Sequence, residues 1–302
     1  MSAQLDLVAE RAATWSQSAN LLKKRIDFVR WLVFALAIVG ALLAAVASQT
    51  PEARALHGAL TALGTVLLAA GTFISARLLK DSQVEAWVRM RAASEALKRE
   101  AFKYAAGAFP YDDDAKADQA LDRGREDIER DLDDLFDRAV TPQGPGSAPR
   151  KKLTADEYRD LRVVGQIKNF YRPRARDYQT IAARLRAIEF ALALTATIIT
   201  ALAGVVGKLP IVAGIRFDLA ALTAVLTTIG GAVLAHIEAS RYQHLVTSYL
   251  AAARRLENAS AEFDAAKVDR QKWSDYVIRC EDIIAAENSS WVARWTRTRS
   301  AE

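Results

Sequence analysis

Cysteine is almost missing from this chain. Cys280 is the single one among 302 residues, so no disulfide can close within the chain. That suits a reducing compartment. Cys280 lies in an apolar helical pattern and reads as a small core residue, not as a nucleophile. Histidine is scarce as well: His57, His236 and His244 are all there is. His236 and His244 stand about two helical turns apart, too far to share one metal ion without further ligands. There is no glycine-rich phosphate loop and no serine in a nucleophile elbow. The acidic run Asp112-Asp113-Asp114 lacks the spacing of a calcium loop and reads as a helix cap. With no catalytic constellation, no cofactor loop and no metal cluster, the expectation is a protein that is not an enzyme and carries no cofactor.

Ionised side chains are missing from four long stretches. Trp31 to Thr50 and Ala55 to Ala76 hold none, and neither do Phe190 to Gly207 and Leu219 to Ile237. Each is close to the roughly 20 apolar residues that span a hydrocarbon core of about 30 Å. They come as two closely spaced pairs. The absence of Asp, Glu, Lys or Arg from mid-span argues against an ion-coupled transporter, which needs a buried ionisable group. No cleavable leader is expected, because about thirty mostly polar residues precede the first run.

The charged residues are elsewhere, and their placement sets the topology. The net charge is +5 and the isoelectric point about 9.3, while mean hydropathy is only +0.01. A basic chain often binds nucleic acid. Here the bases gather at the edges of the apolar runs, and no nucleic-acid partner is expected. Lys23, Lys24, Arg25 and Arg30 precede the first run; Arg77, Lys80, Arg89 and Arg91 follow the second. Arg184 and Arg186 precede the third, and Arg241 follows the fourth. The short connections within the pairs hold only Arg54, or Lys208 and Arg216. Lys and Arg mark the cytoplasmic side. Both hairpins therefore point outward, with both termini and the central segment in the cytoplasm.

Between the runs the chain is helix-prone. Leu5, Val8, Ala12, Trp15, Ala19 and Leu22 recur at helical spacing before the first run. Pro51 marks the outer turn. The second run is expected to continue unbroken through Asp81 to Tyr104, ending near Gly107 and Pro110. A helix over Ala115 to Ala139 carries Leu121, Ile128, Leu132, Leu135 and Phe136 on one face. Residues 141–149, with three prolines and two glycines, form a linker. Thr154 and Glu157 then make a capping box. The helix they open is expected to bend or break at Pro173, and a further helix enters the third run. The fourth run is expected to extend through Glu238 to Ala266. A last helix carries Trp273, Val277, Ile284, Trp291 and Trp295. Two similar units follow from this layout, 1–140 and 151–302, joined by a linker at 141–150. The fold class is all-α: an integral membrane protein whose four transmembrane helices form two hairpins with cytoplasmic helical extensions in a bundle. One chain has too few spans to enclose an aqueous pore, so a homo-oligomer is expected.

Three groups of residues are candidates for function. Thr197, Thr200, Thr227 and Thr228 lie within the second pair of runs, where threonine serves either helix packing or a pore lining. Asp27 and Glu189 stand at the inner membrane edge, either paired locally with Arg30 and Arg186 or forming an acidic pore mouth. Arg91, Arg159, Arg162, Arg172, Arg174 and Arg176 form a basic cytoplasmic set, suited to anionic lipid headgroups or to a phosphorylated signal nucleotide.

The punctuation of these helices resembles a known family. The stretch from Glu85-Ala86-Trp87-Val88-Arg89-Met90-Arg91 through Ser94-Glu95, Leu97-Lys98 and Tyr104 to Pro110-Tyr111 is similar to one subtype of the SLATT domains, the SMODS- and SLOG-associating two-transmembrane effectors. Tyr158-Arg159 with Arg162, Gln166, Phe170-Tyr171 and the basic run to Arg176 resembles the opening of a second subtype. Tyr242, Tyr249, Leu256, Trp273 and Glu287 with Trp291 resemble its close. Pro173-Arg174 departs from the pattern, which has a Lys-Ala pair there. The resemblance covers nearly the whole chain as two tandem domains. It implies an effector of a bacterial conflict system in the inner membrane. Such an effector forms a pore or otherwise perturbs the bilayer, and a nucleotide second messenger or a sensor protein triggers it. A plain membrane anchor or scaffold for a cytoplasmic partner is the other reading.

Overall fold

The computed structural model describes residues 2–49, 54–206, 209–210, 216–217, 219–263 and 269–296. Pro51, Gly207, Lys208 and Ala266 lie outside the described residues, as do the side chains of Arg54, Arg216, Trp291 and Trp295. The helices are α1 (Ala3–Ser48), α2 (Arg54–Leu78), α3 (Asp81–Ala105), α4 (Asp114–Arg130), α5 (Ala155–Tyr158), α6 (Arg172–Val206), α7 (Leu219–Ser240), α8 (Tyr242–Glu262) and α9 (Arg270–Thr296). A 3₁₀ segment, Asp133–Arg138, follows α4, and two π-helical segments, Arg159–Val164 and Ile167–Tyr171, join α5 to α6. Among the described residues the only strands are the two-residue antiparallel pair β1 (Leu209–Pro210) and β2 (Arg216–Phe217). The fold is all-helical, with four helices long and apolar enough to cross a membrane.

The chain separates into two compact units, and each draws on both halves of the sequence. Unit 1 holds Met1–Arg25, Asp81–Arg176 and Val246–Glu302; unit 2 holds Ile26–Lys80 and Asp177–Leu245.

Unit 2 contains the four apolar stretches. Their apolar windows bury only 6–17% of their residues. Phe73, Val66, Phe190 and Val205 are all more than half exposed. Such a surface is consistent with hydrocarbon neighbours, among which every backbone group must be satisfied inside its own helix. α1 and α2 pack backbone to backbone: a Cβ on Gly40 would meet Leu68 Cγ at 2.9 Å and the Gly64 carbonyl at 3.2 Å. Near the connection between α1 and α2, the His57 imidazole Nδ1 lies 2.8 Å from the Ala47 carbonyl.

Unit 1 is a helical bundle with a conventional core. The first part of α1 supplies Leu5, Val8, Ala12, Trp15 and Ala19, all closed from solvent. This is the expected stripe, and burying each large side chain contributes roughly 1.5–3 kcal/mol. α3 contributes Trp87, Met90, Leu97 and Phe102; α9 contributes Val277, Cys280 and Ile284. Asp113 caps α4 by accepting from the Ala115 N–H at 3.1 Å. The capping box forms, with Thr154 and Glu157 each holding the other's backbone N–H.

Four expectations about helix continuity meet a different outcome. α2 stops at Leu78 and α3 starts at Asp81, so the second run does not flow into its extension. The helical stretch from Leu219 to Glu262 is kinked where α7 meets α8 at Arg241, whose φ of 50° is left-handed and strained for a side chain of this size. The helix over 115–139 ends at Arg130, where Arg89 donates to the Asp131 carbonyl and binds Asp134. Pro173, by contrast, breaks nothing: residues 155–205 run as one helix. The Arg172 N–H already reaches five residues back, to the Ile167 carbonyl. Pro173 thus falls in the first turn of the new α register, where a missing donor costs least.

The Pro/Gly segment is fastened rather than loose. The Val140 N–H donates to Ser18 Oγ at 2.9 Å, and the Gln143 N–H to Gln17 Oε1 at 2.7 Å. A Cβ on Gly146 would strike Ala13 Cβ at 2.8 Å, so glycine is required for this close approach to α1.

Candidate functional site

The four threonines share one local geometry. Each hydroxyl donates to the carbonyl four residues back: Thr197 to Ala193 at 2.9 Å, Thr200 to Ala196 at 2.8 Å, Thr227 to Thr223 at 2.9 Å and Thr228 to Ala224 at 2.8 Å. All four side chains are exposed within the chain. Back-bonding satisfies the hydroxyl proton inside the helix and leaves the oxygen's remaining acceptor capacity outward. Each of these bonds stays within its own helix. The structure brings Thr200 on α6 to Thr223 on α7, 3.4 Å apart, and Thr223 was not among the four.

Asp27 is exposed and interacts electrostatically with Arg30. Glu189 is half-buried, and neighbouring Arg186 donates to Gln243 at 2.6 Å.

The basic set divides. Arg172 pairs with Glu257 at 2.6 Å, and Arg159 with Asp156 at 3.1 Å, both on accessible surface. Arg174 and Arg176 are exposed. Arg91 is partly covered and reaches Glu95 at 2.9 Å. Arg162 stands apart: its side chain is 3% exposed and its fork closes on Glu281, which is fully buried. No headgroup can reach a guanidinium in that position.

That pair is the centre of a buried polar cluster which sequence reasoning did not find. Arg162 Nε and Nη2 donate to Glu281 Oε1 and Oε2 at 2.9 and 2.8 Å. The Tyr158 hydroxyl adds a bond to Glu281 Oε1 at 3.1 Å. The Phe102 ring from α3 lies 4.4 Å from Arg162 Cζ, a cation–π contact in a desolvated site. Burial works to lower Arg162, but the Glu281 carboxylate outweighs it and holds the guanidinium more basic than usual. Next to it on α3, Lys98 binds Glu95 at 3.0 Å. Burial works to raise Glu95, yet the charges of Lys98, Arg91 and Arg162 prevail and hold it down at about 2. Burial lowers Lys98, partly offset by Glu95. Glu287 on α9 goes the other way: burial lifts it to about 7, eased by Arg91 and reinforced by Glu95. Cys280 is likewise pushed up by burial, to about 12, which makes it an inert thiol.

The sequence carried one trace of this cluster. Tyr158, Arg162, Ile167, Tyr171 and Ala175, all buried, recur at intervals of four or five rather than 3.6. That interval marks a helix wound more loosely than α. Among the described residues, no three His, Cys, Asp or Glu side chains converge as a metal-binding group.

Comparison with known proteins finds matches over two separate stretches of the chain. Residues 158–291 match the SLATT_1 family model, SMODS and SLOG-associating 2TM effector domain 1. Residues 13–119 match a different family model, DUF4231, a protein family of unknown function. The first half thus corrects the expectation of two SLATT domains: one match is SLATT and the other is not. No curated protein and no solved structure matches the chain.

Proposed function

We propose that this chain is a multi-pass membrane effector whose apolar helices assemble, as a homo-oligomer, into a gated pore or otherwise breach the bilayer. The observation that carries this reading is the SLATT effector match over a segment containing two long apolar helices whose surfaces the chain itself leaves uncovered. Helices with so little of their surface buried require lipid or further copies as neighbours. In this reading both termini and unit 1 lie in the cytoplasm, as the distribution of Lys and Arg favours. Unit 1 receives the signal, from a nucleotide second messenger or a sensor protein, through the accessible bases Arg159, Arg172, Arg174 and Arg176. The protein is not an enzyme and needs no cofactor. Purified protein added to dye-loaded liposomes tests the proposal. Leakage that depends on the protein and rises with its activating partner supports it; intact vesicles under every such condition refute it.

One observation favours the other reading, a membrane anchor for a cytoplasmic partner. All four threonine hydroxyls are satisfied by their own helix, as suits side chains that face lipid. An anchor would leave liposomes intact and retain its cytoplasmic partner.

A further inference from the structure

The helix that runs from Ala155 to Val205 contains two wide turns, and a buried ion pair sits on the first of them. A regular α-helix advances about 100° per residue, which would set Ile167 on the face opposite Tyr158, roughly 180° away. Both nevertheless belong to one apolar core, with Val163 and Tyr171. The reconciliation is the π register over Arg159–Val164 and Ile167–Tyr171, where each wide turn takes in about one extra residue and delays the winding. π turns are rare because they give up regular α bonding, so something else must hold them. Here the holding contacts are visible. Tyr158, in the last turn before the π segment, and Arg162, within it, both bond the same carboxylate, that of Glu281 on α9. Phe102 of α3 closes over the guanidinium.

We infer that the Arg162–Glu281 pair is a register latch: while it is closed, residues 159–171 are kept in wide turns, and when it opens, the helix rewinds to α and everything beyond Tyr171 turns about its own axis. The turn is about 100° for each wide turn given up. Such a rotation would carry Ala175, buried in the closed state, toward solvent. The device is a bistable element, with the geometry fixed by one buried bidentate contact. It does not depend on what the apolar helices do in the bilayer.

The test uses full-length protein in detergent with Cys280→Ser as background. Two reporters are built separately, Ala175→Cys on the helix and Ala101→Cys on α3, at positions both closed from solvent. The latch is removed by Arg162→Met with Glu281→Leu, which leaves no unpaired charge, and weakened separately by Arg162→Lys, which keeps the charge but loses the fork. Maleimide labelling of the Ala175→Cys reporter is expected to rise by about tenfold or more when both latch residues are replaced, and by less with Arg162→Lys. The Ala101→Cys reporter stays protected in both cases. Equal rises at both positions in both variants mean plain loosening of the core and overturn the latch. Protection of the thiol at position 175 in both variants overturns it too.

Discussion

The Trp15 indole N–H donates to Glu129 Oε1 at 3.0 Å, a buried bond between residues 114 positions apart. It ties the first turns of the chain to the end of α4. The Phe136 ring completes the site, edge-on to Trp15 at 5.1 Å. Glu129 does not depend on Trp15 alone, because Arg125 also binds it at 2.8 Å. Trp15→Ala is therefore expected to cost about 3–5 kcal/mol, mostly through the cavity. Glu129→Gln should cost less, on the order of 1–2 kcal/mol, because one acceptor remains for the indole. Thermal unfolding of the detergent-solubilised protein ranks the two; a larger loss for Glu129→Gln would show that charge rather than packing holds α1 in unit 1.

The Arg162–Glu281 pair predicts a sharp asymmetry between single and double substitution. Glu281→Leu alone strands a guanidinium in the core and should destabilise by about 3–5 kcal/mol. Arg162→Met with Glu281→Leu removes both charges and should recover most of that loss. Denaturant titration of the four members of the cycle gives the coupling directly. Additive losses would mean that the two side chains do not act as a pair.

Acidity should act on the same core from two directions. Glu287 is lifted from the ordinary 4.5 to about 7, so folding takes up a proton between those values. Its contribution is complete below about 4.5 and is lost as pH rises through about 7. Glu95 is held at about 2, so its contribution is present above 4.5 and is lost as pH falls toward 2. Unit 1 should be most stable near pH 5 and lose on the order of 2 kcal/mol toward neutrality. Glu287→Gln should flatten the slope between about pH 5 and 7 while leaving the acid limb untouched. Hydrogen exchange of α9 followed across this range reads the effect; a slope that survives the substitution would assign it to another group.

Much of this architecture could be read without coordinates, and what escaped has a common cause. The apolar runs, the stripe Leu5–Val8–Ala12–Trp15 and the caps at Asp113 and Thr154 are local signals, and each is where the pattern put it. The interruption after Leu78 and the kink at Arg241 fall in stretches without glycine or proline, so no local residue announces them. Pro173 did announce a break, but the wide turn before it had already displaced the bond that proline would have removed. Arg162 looked like its accessible neighbours because the residue that buries it, Glu281, lies 119 positions away. A charge is recognisable as interior only when its partner is known, and spacing along one helix does not supply the partner.

Close approach at Gly40 makes the first apolar pair more demanding than the second. A methyl group on Gly40 would sit 2.9 Å from Leu68 Cγ and 3.2 Å from the Gly64 carbonyl, whereas one on Gly231 meets nothing within 4 Å. Gly40→Ala should therefore spread α1 from α2 and cost about 1–3 kcal/mol. Gly231→Ala should leave the isolated chain unchanged. Thermal stability in detergent separates the two. If Gly231→Ala also lowers oligomer mass in a mild detergent, its face is where copies meet.

The threonines decide between pore and anchor. Valine keeps the shape of threonine and removes the outward acceptor, and the helix bond lost from Thr197 to Ala193 or from Thr227 to Thr223 is only an accessory to the backbone ladder. Thr197→Val with Thr227→Val should therefore fold normally in either reading. If these hydroxyls replace water around a passing ion, liposome leakage should fall by roughly threefold or more at equal reconstitution. If they face lipid, removing a polar atom from hydrocarbon is neutral or slightly favourable, and any activity should persist unchanged. Unchanged leakage in this double variant, together with loss of activity on reversing the charge of Arg172 and Arg176, would move the working surface from the apolar helices to unit 1 and leave the bilayer-spanning part as an anchor.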